Sequence, residues 1–186
     1  MIDVNQLRRG VSFTKDGNLY KVTEYSHSKP GRGKATIRVT VKDLRAGSNF
    51  QLTFTSGERI ENIRLDKQVY QYLYDDGQFY VFMDNTTYEQ KQVAYAVMEE
   101  HKTYLRDNME LELLTYDGEV LDYILPKSME FEVVESENAV AGDTATGATK
   151  IVVTETGLKV KTPLFVQAGN RIKVNTETGG YITRVQ

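Results

Sequence analysis

The sequence predicts an all-β protein made of several small barrels, with one modest helix. Three observations predict this fold. Apolar and polar residues alternate along several runs, Asp-Gly or Gly-Gly pairs punctuate those runs, and one segment has helical spacing. A period of two places the apolar side chains on one face of a strand and the polar side chains in water.

The alternating runs are distributed over the whole chain. Their apolar residues are Ile37, Val39 and Val41; Leu111 and Leu113; Phe131 and Val133; and Ile172 and Val174. The turn signals are Asp16-Gly17, Asp76-Gly77, Asp117-Gly118 and Gly179-Gly180. Because glycine tolerates the positive φ of a tight turn, an Asp-Gly pair between two such runs predicts a hairpin.

A single segment, from Val93 to Leu105, has the spacing of a helix. The residues that recur at helical intervals are Val93, Val97, Met98, His101 and Leu105, and Asp107-Asn108 follows as a stop signal. One helix within a series of short strands is what a five-stranded barrel of the OB type contains.

Shifts in composition and charge predict three domains, at residues 1–64, 65–126 and 127–186. The first holds twelve Lys or Arg against six Asp or Glu, the second four against thirteen, and the third seven of each. Pro126 interrupts two strand-like runs, which suits a junction because proline cannot donate to a β ladder. Residues 136–149 are small and polar, and this composition predicts a long exposed loop.

The basic first part is expected to face nucleic acid, because clustered Lys and Arg raise the local concentration of phosphates. Chance segregation of charge is the alternative. The acidic middle part argues against a protein that coats RNA along its whole length.

Residues 26–34 join two strand candidates, Tyr20–Tyr25 and Ala35–Val41, and predict a hairpin tip. Its residues are Ser26, His27, Ser28, Lys29, Pro30, Gly31, Arg32, Gly33 and Lys34. The tip presents Arg32 between two glycines. Arginine binds phosphate bidentately and stays protonated, so the tip can position RNA but cannot act as a general acid or base. An ordinary solvated loop is the other interpretation.

Several classes of protein have little support in the sequence. No apolar run approaches the ~20 residues of a membrane helix, no secretory signal begins the chain, and the chain has no cysteine. The adjacent acids Asp75-Asp76 and Glu99-Glu100 do not share a face, and the two histidines, His27 and His101, lie in different predicted domains. We therefore expect a cytoplasmic protein that is not an enzyme, with no catalytic residue, no metal site and no cofactor.

The chain resembles the elongation factor P family over essentially its whole length. The residues that carry the resemblance are Lys29-Pro30-Gly31-Arg32-Gly33, Gln71-Tyr72-Leu73-Tyr74, Phe82-Met83-Asp84, Thr87-Tyr88-Glu89-Gln90, Gly142-Asp143-Thr144, Glu155-Thr156-Gly157-Leu158, Pro163-Leu164-Phe165-Val166 and Gly180-Tyr181-Ile182-Thr183-Arg184-Val185. The chain departs from the family pattern at Ile151, where proline is usual, and at Thr162, where valine is common.

The resemblance implies three β-barrel domains in an L shape: an SH3-like (KOW-like) N-terminal barrel followed by two OB-type barrels. It also implies a translation elongation factor that binds the 70S ribosome next to the P-site peptidyl-tRNA. There it would stimulate peptide bond formation at stalled polyproline stretches. We expect a monomer, because such a factor enters a single ribosomal site.

Residue roles are implied by the same resemblance. Lys29 to Lys34 contact the peptidyl-tRNA, with Arg32 as the tip residue that positions the CCA end. Gly142, Asp143 and Thr144 contact the mRNA E-site codon, and Tyr181 and Arg184 face the tRNA and ribosome. A modifying enzyme that acts on Arg32 is a candidate partner. Since Gly33 stands where rhamnosylated relatives tend to have asparagine, our hypothesis is that Arg32 is unmodified.

Two alternatives stay open. One is an elongation factor P-like paralogue with the same fold and a different ribosomal role. The other is a general RNA-binding protein built on OB barrels, which would bind free single strands through aromatic side chains and basic grooves. The acidic middle part disfavours the second alternative.

Overall fold

The computed structural model describes residues 1–28, 35–137 and 148–185. These residues form three antiparallel β-sheets, one short α-helix and two 3-10 helices. The predicted all-β fold with one short helix is therefore confirmed. In the described part of the chain, no helix has the length and apolar character needed to span a membrane.

The first sheet has six strands. Their bounds are β1 (Ile2–Asp3), β2 (Ser12–Lys15), β3 (Asn18–Ser28), β4 (Thr36–Asp43), β5 (Asn49–Thr55) and β6 (Arg59–Ile63). The spatial order is β1-β6-β2-β3-β4-β5, and a 3-10 helix at Val4–Gln6 follows β1. The predicted hairpin turn joins β2 to β3, with positive φ at both Asp16 and Gly17. The alternating residues of β4 point into the core of this sheet.

The second sheet has five strands. They are β7 (Asp66–Asp75), β8 (Phe79–Met83), β9 (Gln90–Ala94), β10 (Glu110–Tyr116) and β11 (Glu119–Ile124), in the spatial order β11-β10-β7-β8-β9. The α-helix α1 (Tyr95–Met98) and a 3-10 helix at Glu99–Tyr104 connect β9 to β10.

The predicted helix exists, but the extent predicted for it is wrong. Val93 lies in β9, where it pairs with Tyr80, and α1 begins only at Tyr95. The helical path is interrupted at His101, whose φ is −124°. Side chains with helical spacing are buried here, including Val97 and Met98, yet the strand before them already buries Val93. Burial at helical intervals therefore arose from a strand followed by two short helical pieces.

The third sheet also has five strands. They are β12 (Ser128–Ser136), β13 (Thr149–Thr154), β14 (Lys159–Pro163), β15 (Arg171–Asn175) and β16 (Tyr181–Val185), in the order β14-β13-β12-β15-β16. The predicted loop at 136–149 is shorter at both ends, because Ser136 and Thr149 are strand residues. Residues 138–147 lie outside the described residues.

The second and third sheets share one hydrophobic core. The Tyr104 ring meets the fully buried Phe131 ring edge to face at 5.9 Å. The Arg106 guanidinium lies 5.5 Å from the centre of the same Phe131 ring and 3.8 Å from Glu155. The first sheet has a core of its own, and a small cluster of Leu19, Leu44 and Leu121 connects it to the second sheet. The joint between the second and third sheets is thus a shared core, whereas the joint between the first and second sheets is a small separate cluster.

Candidate nucleic-acid interface

The tip residues predicted from the sequence lie outside the described residues. They are Lys29, Pro30, Gly31, Arg32, Gly33 and Lys34. The predicted codon-contact residues Gly142, Asp143 and Thr144 also lie outside the described residues. The roles assigned to these nine residues stay predictions.

The arm beneath the tip is a long hairpin formed by β3 and β4. Eight residue pairs connect the strands, from Tyr20 opposite Asp43 to Ser28 opposite Thr36. Both strands are longer than predicted, and Ser26 to Ser28 belong to β3 rather than to the connection. At about 3.3 Å per residue, the seven steps from Lys21 to Ser28 span roughly 23 Å. The segment with Lys29, Arg32 and Lys34 therefore joins the outer end of a long arm.

Cations lie along this arm in two different settings. Arg38 is exposed on β4, and Arg8 stacks over the Tyr25 ring with 5.0 Å to its centre. Lys21 and Lys42, at the base, instead contact acids of the second sheet and of its helical connection. Some of the basic residues in the first part of the chain therefore pair with acids of the middle part, in addition to the predicted contact with nucleic acid.

Tyr181 and Arg184 share one face of β16. Residues three apart point to opposite faces of a regular strand. In β16, however, a register irregularity leaves Ile182 without a partner, so that Tyr181 stands opposite Val174 and Arg184 opposite Ile172. Directly opposed residues have their side chains on the same face, so the bulge places Tyr181 and Arg184 on the side of the buried Val174 and Ile172. Tyr181 packs partly against the core there, whereas Arg184 is exposed.

Phe165 lies beside this pair and was not among the predicted site residues. Phe165 is 55% exposed, and the Arg184 guanidinium lies 5.5 Å from the centre of its ring. Leu164 and Ile182 are exposed as well. An aromatic ring and a guanidinium are both surfaces on which a nucleotide base stacks. The sequence signal was an aromatic residue two positions after Pro163, the last residue of β14.

Three of the four adjacent acids, Asp75, Asp76 and Glu99, make hydrogen bonds or ion pairs with nearby residues. Asp75 accepts hydrogen bonds from the Tyr95 hydroxyl and the Gly77 N–H, and these bonds lower the pKa of Asp75. Asp76 accepts from the N–H groups of Gln78 and Phe79 in the same turn. Glu99 pairs with Lys102 at 2.6 Å. Within the described ranges, no three His, Asp or Glu side chains are grouped as metal ligands.

His101 is the one half-buried histidine of the described residues. Its Nδ1 lies 2.7 Å from the Tyr123 hydroxyl, and its ring packs edge to face on Tyr104. Burial lowers the pKa of His101 below its ordinary 6.5. Glu100 raises it and Lys42 lowers it by smaller amounts. Burial also raises the pKa of Tyr123.

The free energy of unfolding should decrease as the pH falls through 6.5, because of His101. Below this pH the unfolded chain takes up a proton that folded His101 resists, so protonation favours unfolding. The decrease ends at the lower pKa of the folded state. Urea unfolding between about pH 8 and pH 5 measures this slope. His101→Gln should flatten it, whereas His27→Gln, at an exposed position of β3, should leave it in place.

The fold defines an all-β protein of three units, and comparisons with known proteins identify each unit. Residues 3–60 match the elongation factor P KOW-like domain, residues 65–123 the elongation factor P OB domain, and residues 129–184 the elongation factor P C-terminal domain. The elongation factor P of Moorella thermoacetica is 42% identical over 184 residues, which cover 99% of this chain and 100% of that relative. The chain therefore belongs to the elongation factor P family of translation elongation factors.

Two solved structures are similar to this chain to different degrees. Eukaryotic translation initiation factor 5A from Methanococcus jannaschii superposes with a TM-score of 0.53 at 24% identity, covering 66% of this chain and 92% of that one. A translation initiation factor 5A family protein from Naegleria fowleri superposes with a TM-score of 0.44 at 16% identity, covering 67% and 94%. At 24% identity, the first likeness concerns the fold alone.

Proposed function

We propose that this factor binds the 70S ribosome next to the P-site peptidyl-tRNA and stimulates peptide bond formation at stalled polyproline stretches. The observation that supports this function is the β3–β4 hairpin. Its eight pairs extend as far as Ser28 and Thr36, and the connection between them contains Lys29, Arg32 and Lys34. A basic segment at the end of a long arm is suited to reach a buried phosphate backbone, such as that of the tRNA CCA end.

The tip acts by positioning. The Arg32 guanidinium stays protonated at physiological pH and binds phosphate through two parallel hydrogen bonds. Restraining a mobile CCA end lowers the entropic part of the barrier, while the tip takes no part in the chemistry. Proline benefits most, because its constrained amine is poorly oriented for attack. Arg32 acts without modification in this proposal.

The C-terminal unit supplies the second set of contacts. Gly142, Asp143 and Thr144 contact the mRNA codon in the E site, and Tyr181 and Arg184 contact the tRNA or the ribosome. The exposed Arg184 and the exposed Phe165 beside it support this assignment. The factor acts in the cytoplasm as a monomer, with domains at 1–64, 65–126 and 127–186.

Reconstituted translation tests the proposal. A message that encodes consecutive prolines is translated with and without the factor, beside a matched message without prolines. We expect full-length product to rise only for the proline message. If the factor binds ribosomes and leaves the stall unchanged, the function of a paralogue is the better assignment. Tight filter binding to poly(U) without an effect on translation would instead indicate a general RNA-binding protein.

A further inference from the structure

Two lysines face each other at the base of the tip hairpin. Lys21 on β3 and Lys42 on β4 are directly opposite in register. Like charges in this arrangement repel and destabilise a strand pair. Here each lysine has an acid of the second sheet or its helical connection as partner. Lys21 Nζ lies 2.5 Å from Asp122 on β11, and Lys42 Nζ lies 4.0 Å from Glu100. The base of the hairpin therefore depends on the middle domain for charge balance.

The turn that follows β4 makes a third contact of the same kind. Arg45 donates to both carboxylate oxygens of Glu119, at 2.9 to 3.2 Å. Beside it, the backbone of Gly47 approaches the middle domain closely. A Cβ at Gly47 would lie 2.8 Å from the Ala96 carbonyl oxygen, and the φ of Gly47 is +73°. Three ion pairs and one close backbone approach thus join the first sheet to the middle domain, in addition to the small Leu19, Leu44 and Leu121 cluster.

The three pairs differ in their expected strength. Arg45 and Glu119 are about half exposed, and exposed pairs contribute little because water screens them. Lys42 and Glu100 are only at the outer limit of an ion pair. Asp122 is nearly buried, with 11% of its side chain exposed against 33% for Lys21. Removing Lys21 leaves a nearly buried carboxylate without its cation, which is costly.

The other joint of the protein is built differently. The second and third sheets share a continuous apolar core through Tyr104 and Phe131, and apolar packing of this extent resists relative movement. The joint between the first and second sheets has a smaller apolar cluster, in which Ile63, Leu65 and Tyr116 pack against Leu19, Leu44 and Leu121, and it also has three ion pairs. A change of a single charge can therefore alter the angle between the first and second sheets more easily than the angle between the second and third sheets.

A change of angle at this joint is amplified along the hairpin. The outer pair, Ser28 and Thr36, lies roughly 23 Å from Lys21, so a tilt of about 10° displaces it by roughly 4 Å. A displacement of ~1 Å already impairs positioning catalysis strongly. We propose that Lys21 and Asp122 are positioning residues, whose ion pair sets the direction in which the middle domain holds the tip hairpin. This proposal rests on the proposed function of the tip.

Charge reversal and charge exchange test the proposal in the full-length factor. Lys21→Glu and Asp122→Lys should each reduce stimulation of consecutive-proline translation by about tenfold or more. The exchanged double variant, Lys21→Glu with Asp122→Lys, should restore it to within about threefold, because the pair is re-formed with opposite polarity. The matched control is Lys15→Glu. Lys15 lies in the same sheet and pairs with Asp16 in its own turn, so we expect no effect.

A distance measurement separates positioning from folding. The chain has no cysteine, so spin labels can be attached to cysteines introduced at the exposed Thr53 and Asp107, one in each unit. Pulsed electron resonance should give a narrow distance distribution for the parent and the exchanged variant, and a shifted or broadened one for each single reversal. If the Asp122→Lys variants do not fold, Lys21→Glu and the charge-conserving Lys21→Arg carry the test, and only Lys21→Glu should lower stimulation and change the label distance.

The outcomes distinguish this proposal from the proposed function. If the parent stimulates translation but the single reversals change neither stimulation nor distance, the positioning role is overturned and the function stands. If the single reversals lower stimulation without moving the labels, or if the exchange fails to restore both, the positioning role is also overturned. If the parent itself does not stimulate translation, the function fails, and the label distances still decide whether the pair sets the hairpin direction.

Discussion

Arg32→Ala should lose nearly all stimulation of consecutive-proline translation, a reduction of about 10²-fold. The expected loss is large because alanine removes both the charge and the planar pair of donors that bind phosphate. Arg32→Lys should retain an intermediate effect, since lysine keeps the charge without the fork. The measurement is the rate of full-length synthesis in the reconstituted system, with factor purified from its native host.

Two controls make the Arg32 experiment specific. Arg59→Ala removes an exposed cation on β6 of the same sheet and should leave stimulation unchanged. The intact mass of the native factor should equal the mass calculated from the sequence, which establishes that Arg32 acts unmodified. Full activity of Arg32→Ala would show that the tip does not position the CCA end through this side chain. An added mass on Arg32 would assign part of the effect to the modification.

The strands were predictable because their signal is local. Ile37, Val39 and Val41 alternate with polar residues, and all three are fully buried in β4. The Asp16-Gly17 and Asp117-Gly118 turns have positive φ at both residues, as the hairpin signal requires. Short-range pattern and turn chemistry act within a few residues, so a single sequence contains them.

The features that were missed depend on contacts between distant residues. Ile2 and Asp3 form β1 only because they pair with Ile60 and Arg59. The helical path is interrupted at His101, whose ring packs on Tyr104 and Tyr123. Neither feature has a periodic signal in the sequence, so neither could be predicted before the contacts in the structure were known.

The candidate sites divide in the same way. The resemblance to a family pointed to Tyr181 and Arg184, but only the bulge at Ile182 explains how residues three apart share a face. The pairing of Lys21 with Asp122 joins residues 101 positions apart, and no spacing rule predicts it. Charge counts in the sequence showed a basic first part and an acidic middle part. The structure shows that some of these opposite charges pair with each other between the two parts.

Phe131→Ala should destabilise the second and third sheets together, by about 3–5 kcal/mol. Phe131 is fully buried on β12, contacts Tyr104 edge to face and lies beneath Arg106. Its removal leaves a cavity between the two sheets, and the surrounding residues can fill this cavity only in part. Native-state hydrogen exchange measures the effect, with Leu111 on β10 and Ile172 on β15 as reporters of the two sheets.

The comparison with Phe13→Ala decides whether the two sheets form one cooperative unit. Phe13 is also fully buried, but in the separate core of the first sheet, so its removal should cost a similar free energy. We expect Phe13→Ala to reduce protection at Val39 and not at Leu111 or Ile172. Phe131→Ala should reduce protection at Leu111 and Ile172 by equal amounts, because one shared core opens in one step. Loss at Ile172 alone would mean that the second and third sheets unfold separately, and the protein could then bend between these two sheets as well as between the first and the second.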